Sequence, residues 1–111
     1  MKFGLPNHHI DSLCDVLSST PSVHEAIIYG SRARGDNRPY SDIDIALKGN
    51  NITSEELTRM YFMIDDLLLP YTIDLCVLSE IRNEKLVQNI NVEGKVLYIR
   101  PQDYLRSPQM N

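Results

Sequence analysis

The segment "DIDIALKG", residues 42–49, constrains the fold of this 111-residue chain more than any other. Apolar side chains alternate with other residues along it, which predicts a strand with one face in a hydrophobic core. One face carries Ile43, Ile45 and Leu47, and the other carries Asp42, Asp44 and Ala46. An unpaired buried carboxylate is costly, so the aspartate face is expected to border a functional site.

Helical spacing and turn residues divide the rest of the chain into an α-β-β-α-β-α-β order. This order predicts a small α/β (α+β) domain whose helices pack mainly on one face of the sheet. The predicted helices span about residues 8–19, 54–69 and 79–91, capped by Asn7, by a Thr53–Glu56 capping box and by Ser79, with one helical turn at 31–34. The other predicted strands lie just before Gly30, just after Pro70 and at 95–99. The helix at 54–69 is expected to bury the apolar side chains of Leu57, Met60, Tyr61, Ile64, Leu67 and Leu68.

Length and composition narrow the functional classes. The length of 111 residues predicts one domain, 1–111, with a loosely packed tail after about residue 101. A net charge of −4 argues against direct nucleic-acid binding, which needs Lys and Arg to replace counterions. No apolar run has the length of a membrane span and no signal-peptide core is visible, so we expect a cytoplasmic protein that does not bind membranes.

Two carboxylates on one strand face indicate a metal site. Asp42 and Asp44 are two residues apart, about 7 Å along a strand, and both side chains can reach one hard cation. Oxygen ligands of this kind suit Mg²⁺ or Mn²⁺. Asp74 repeats the pattern, because it interrupts the apolar strand "TIDLCVL". We interpret the three aspartates as a shared catalytic and metal-binding set, the alternative being solvated residues at strand ends.

A Gly-Ser turn ten residues before this pair indicates a phosphate site. Gly30 lets the backbone approach a ligand, and Ser31 begins a helical turn whose N–H groups and hydroxyl suit a phosphate. Arg32 and Arg34 lie in the same loop and are expected to bind a polyphosphate, although ordinary solvated charge is an equal alternative. The Lys-Ser/Thr pair of a P-loop is missing.

Together these features predict a nucleoside triphosphate substrate and two-metal chemistry. One ion is expected to bridge Asp42 and Asp44 and hold the triphosphate. A second, near Asp74, is expected to lower the pKa of an acceptor hydroxyl whose proton Asp74 helps to remove. These residues alone do not choose between the α- and the γ-phosphorus.

The stretch "GSRARGDNRPYSDIDIAL" resembles the Gly-Ser, ten residues, Asp-x-Asp signature of the DNA polymerase β-like nucleotidyltransferase superfamily. Gly30, Ser31, Asp42 and Asp44 fill the signature, and Asp74 matches its third carboxylate. The chain is similar in length to minimal nucleotidyltransferases of the MntA type, antitoxins that are paired with HEPN-domain toxins (HepT). The resemblance implies the superfamily's palm fold with a mixed sheet, Mg²⁺ dependence, and transfer of AMP from ATP onto a toxin tyrosine, which silences its RNase activity.

Two other functions stay open at this point. The protein could neutralise a toxin by binding and occlusion without catalysis, although occlusion does not require the three aspartates. It could instead transfer a nucleotide to a small molecule. Larger relatives that do so carry an additional substrate-binding domain, so we expect a protein acceptor.

Overall fold

A computed structural model describes residues 1–101 and shows four strands and four helices within that range. The predicted tail after residue 101 lies outside the described residues. The elements are α1 Asn7–Ser18, β1 Val23–Tyr29, α2 Ser31–Arg34, β2 Ile43–Gly49, α3 Ser54–Asp66, β3 Ile73–Val77, the 3₁₀ turn Leu78–Glu80, α4 Glu84–Glu93 and β4 Lys95–Ile99. None of these helices is long and apolar enough to cross a membrane.

The four strands form one mixed sheet in the order β3-β2-β1-β4. β1 is antiparallel to both β2 and β4, whereas β2 and β3 are parallel. The end of β1 and the starts of the other three strands therefore lie at the same end of the sheet. The predicted Gly-Ser turn and the predicted aspartates are all brought to this end.

Helices cover the two faces of the sheet unequally, as the sequence predicted. Most of the core lies on the face that carries Ile28, Ile45 and Leu75, where α1 and α3 pack through residues such as Leu13 and Met60. A smaller cluster on the opposite face joins α4 to the sheet and consists of Ile27, Ala46 and Ile90 with partly buried neighbours. Asp44 shares this second face with Ala46 because the two residues are two positions apart on β2.

The capping box of α3 is confirmed. The Glu56 backbone N–H donates to Thr53 Oγ1 (3.1 Å), and the Thr53 N–H donates to Glu56 Oε1 (2.9 Å). The Ser22 hydroxyl also donates to Glu56 Oε2 (3.0 Å), which ties the start of α3 to the residue before β1. These hydrogen bonds stabilise the ionised carboxylate, and they lower the pKa of Glu56.

Three details of the predicted helices are wrong. Pro6, not Asn7, is the N-cap of α1. Helix α3 ends at Asp66, and Leu68 then adopts a left-handed backbone (φ 54°) that leaves its side chain exposed. Ser79 lies in the 3₁₀ turn, and α4 begins only after Asn83, whose side chain accepts from the Leu86 N–H.

Candidate active site

Strand register places two of the predicted carboxylates side by side. Asp44 on β2 pairs with Asp74 on β3, and on its other side it pairs with Tyr29 on β1. Residues paired across neighbouring strands point to the same face, so the two carboxylates are neighbours on the α4 side of the sheet. Asp42 precedes β2 by one residue and is exposed. The tertiary structure thus brings Asp44 beside Asp74, although the two residues are far apart in the sequence.

The charges of these aspartates act on one another. The pKa of Asp44 is raised, chiefly because its carboxyl is partly buried and further because the Asp74 and Asp42 carboxylates repel its negative charge. A divalent cation would relieve this repulsion, and the oxygen donors are those that Mg²⁺ prefers. Within residues 1–101, no three His, Cys, Asp or Glu side chains are already arranged to hold a metal ion. The donor set therefore fits Mg²⁺ by its chemistry, and the side chains would have to adjust around the ion.

The Gly30 turn lies against the Asp44 carboxylate. Gly30 has φ 76° and ψ −152°, a conformation that is open essentially to glycine alone. A Cβ at this position would also lie 2.8 Å from Asp44 Oδ2, closer than non-bonded atoms allow. Ser31, the next residue, begins α2 as predicted. The predicted phosphate turn thus lies close beside the predicted metal strand.

Arg32 does not have the position expected of a nucleotide ligand. Its side chain is 2% exposed, and the guanidinium donates to the carbonyls of Phe3, Gly4, Pro39 and Ser41 at 2.9–3.3 Å. The five N–H groups of an arginine are matched by five such hydrogen bonds, so none is left for a phosphate. Arg32 instead connects the Gly-Ser turn to Ser41, the residue immediately before Asp42.

Arg34, by contrast, lies on the surface. Its guanidinium forms ion pairs with Asp36 (3.2 Å) and with Glu93 of α4 (3.4 Å). Exposed ion pairs of this kind are weak and exchange readily with other partners. A nucleotide contact for Arg34 is therefore compatible with its position at the rim of the site.

Two side chains around the aspartates were not predicted as part of the site. Tyr29 on β1 contacts Cys76 on β3, with its hydroxyl 3.6 Å from Sγ. The contact crosses β2, the strand between them, which carries the small side chain of Ala46 on the same face. Burial, the contact with Cys76 and the nearby aspartates raise the pKa of Tyr29 well above its usual range. Its place at a strand end just before Gly30 is the signal that sequence reasoning overlooked.

Tyr61 is the other unexpected neighbour of the site. The sequence predicts it as a buried residue of α3, and its ring is indeed partly buried. Its hydroxyl accepts a hydrogen bond from the Leu75 N–H (2.7 Å) and lies 3.4 Å from Asp74 Oδ1. No local sequence pattern indicates this contact, because it joins a helix to an edge strand.

The comparisons agree with this fold. The family model "Polymerase beta, Nucleotidyltransferase" matches residues 11–103. A chain of a toxin–antitoxin complex with AMP-PNP has a TM-score of 0.67 at 23% identity, covering 85% of this chain and 76% of that one. A comparison with curated proteins finds no match.

Two further structures share the fold. A chain of the MntA–HepT toxin–antitoxin complex gives a TM-score of 0.62 at 20% identity, covering 88% of this chain and 76% of that one. A chain from the complex of a tri-AMPylated Shewanella oneidensis HEPN toxin with an MNT antitoxin has a TM-score of 0.63 at 19% identity, covering 94% of this chain and 84% of that one. This protein belongs to the polymerase β nucleotidyltransferase family. The predicted resemblance and fold class are confirmed.

Proposed function

We propose that this protein is an antitoxin that transfers AMP from ATP onto a tyrosine of a partner HEPN toxin. The observation that carries the proposal is the close approach of the Gly30 turn to Asp44, next to Asp74 in the sheet. The turn to which we assign phosphate binding lies beside the paired carboxylates, an arrangement that a protein acting by occlusion alone does not need. Structural neighbours that contain an AMPylated HEPN toxin or AMP-PNP support the choice of acceptor and nucleotide.

The roles of the residues follow from their positions. Asp42, Asp44 and Asp74 would hold Mg²⁺, which supplies charge neutralisation for the triphosphate and polarises the phosphoryl group. Gly30 and Ser31 would bind the phosphates, with Arg34 at the rim. We assign no nucleotide contact to Arg32.

We expect the two substrates to bind on opposite sides of Asp44. The Gly-Ser turn follows β1, on one side of Asp44, whereas Asp74 lies on β3 at the free edge of the sheet. The acceptor tyrosine would therefore approach from the β3 edge. Its oxygen would attack the α-phosphorus as the bond to pyrophosphate breaks, and Asp74 would accept the phenolic proton.

The test is the intact mass of the HEPN toxin after co-expression with this chain. We expect mass increments of one or more AMP units with the wild type and none with an Asp42→Asn, Asp44→Asn double variant. The matched control is Asp65→Asn, Asp66→Asn, which removes two exposed carboxylates from the end of α3 and should leave modification unchanged. The control separates the effect of these positions from a general loss of acidic charge.

Two results would contradict the proposal. An unmodified toxin that co-purifies with both the wild type and the double variant would indicate neutralisation by occlusion. Absence of both complex and modification would indicate a small-molecule acceptor.

A further inference from the structure

We propose that Tyr61 is a positioning residue that orients the Asp74 carboxylate for metal binding. This inference rests on the proposed function, because it takes Asp74 as a metal ligand. It assigns a role in the site to a helix that lies mainly on the opposite face of the sheet. The contact passes around the free edge of β3, the outermost strand next to β2.

The Tyr61 hydroxyl oxygen has a fixed position. It accepts the backbone N–H of Leu75 at 2.7 Å, a short hydrogen bond to a strand that is itself held by its parallel pairing with β2. The ring belongs to α3, and Met60 and Ile64 of this helix are buried in the main core. Both ends of the side chain are therefore anchored, and the hydroxyl cannot move far from Asp74.

The hydroxyl proton has two acceptors within reach. Asp74 Oδ1 lies at 3.4 Å and the Leu75 carbonyl oxygen at 3.3 Å. Since both distances are long for an O–H···O bond, neither acceptor has captured the proton in a short bond. An ionised carboxylate is a stronger acceptor than a neutral carbonyl, so a small rotation of the Asp74 side chain would direct the bond to it.

Asp74 needs such a partner more than Asp44 does. Asp44 is partly buried, with the Gly30 backbone against its carboxylate. Asp74 is exposed on an edge strand, and within residues 1–101 Tyr61 is the hydrogen-bond donor that reaches its carboxylate. A hydrogen bond to Oδ1 would restrict the rotation of the carboxylate. Loss of a hydrogen-bond partner of a metal ligand typically reduces metal affinity or activity by about 10–100-fold.

The test measures the binding of Mn²⁺ to the purified protein in the presence of AMP-PNP, with electron paramagnetic resonance to detect free and bound Mn²⁺. Tyr61→Phe should raise the Mn²⁺ Kd by about 10-fold, the lower end of that range because the bond is long. The matched control is Tyr71→Phe, which also removes one tyrosine hydroxyl bond, here to His9 Nδ1 (3.1 Å). It should leave the Kd unchanged. Melting curves for each variant report whether the fold is retained.

A double variant separates positioning from a purely structural role. If Tyr61 acts through Asp74, adding Tyr61→Phe to Asp74→Asn should weaken Mn²⁺ binding no further. An unchanged Kd in Tyr61→Phe, or equal additional losses with and without Asp74, would overturn the inference. Unchanged binding in Asp74→Asn alone would overturn the metal assignment on which it rests. AMP on the toxin with wild-type protein supports the proposed function whichever of these results is found.

Discussion

Replacing the buried Arg32 by lysine should destabilise the domain and disturb the site at the same time. Arg32 presents a planar fork of five donors to carbonyls on two sides, Phe3 and Gly4 on one and Pro39 and Ser41 on the other. A lysine ammonium keeps the charge, but it has three donors in a compact group and cannot span both sides.

The expected loss follows from this count of donors. At least two of the five hydrogen bonds must be lost, and each bond to a charged group is worth about 1.5–3 kcal/mol. Water can reach part of the freed carbonyls, so we expect the low end, a loss of about 3 kcal/mol in the free energy of unfolding. For a domain of this size the melting temperature would fall by about 10 °C or more.

The assay combines thermal melting with the rate of toxin modification for Arg32→Lys. Arg34→Lys is the matched control, since it makes the same substitution at an exposed guanidinium in the same helical turn and should change stability by less than about 0.5 kcal/mol. We expect the modification rate to fall in Arg32→Lys because Ser41, and with it Asp42, loses its anchor. Unchanged stability together with a raised KM for ATP would refute this reasoning and restore Arg32 as a nucleotide ligand.

Three further predictions concern the turn and the capping box. Gly30→Ala should lower the free energy of unfolding by about 1–3 kcal/mol through backbone strain, and it should also abolish modification of the toxin because the new Cβ meets Asp44 Oδ2. The control Gly35→Ala, at φ 88° and with no neighbour within 4 Å of the new Cβ, should show the strain without the clash. Thr53→Ala should lower stability by about 1 kcal/mol in urea titrations, and equal stability would show that the cap is dispensable. Because the pKa of Glu56 is lower in the folded state than its ordinary value of 4.5, the ionised carboxylate stabilises the fold above pH 4.5, and this stabilisation is lost as the pH falls through the folded-state pKa. Glu56→Gln should therefore flatten the acid side of a plot of melting temperature against pH, and an unchanged acid side would contradict this.

Local chemistry explains why much of the architecture could be predicted. Alternation along β2, the capping box at Thr53 and the turn at Gly30 depend on residues a few positions apart, so their signals are intact in the sequence. The spacing of Gly30, Ser31, Asp42 and Asp44 likewise identified the family. Errors occurred where the local signal was ambiguous: Ser79 is as good a cap by type as Asn83, and Leu68 extends an apolar stripe beyond the point where the backbone leaves the helix.

The sequence by itself determined the strand that carries the aspartates, the turn that precedes it and the family to which both belong. Only the tertiary structure decided which residues surround Asp44 and Asp74, because strand register and edge position depend on contacts between distant segments. It placed Tyr61 of α3 beside Asp74 and turned Arg32 from the predicted phosphate loop into the core. An arginine looks the same in a sequence whether it faces a ligand or four backbone carbonyls, and the difference depends on where the chain places those carbonyls.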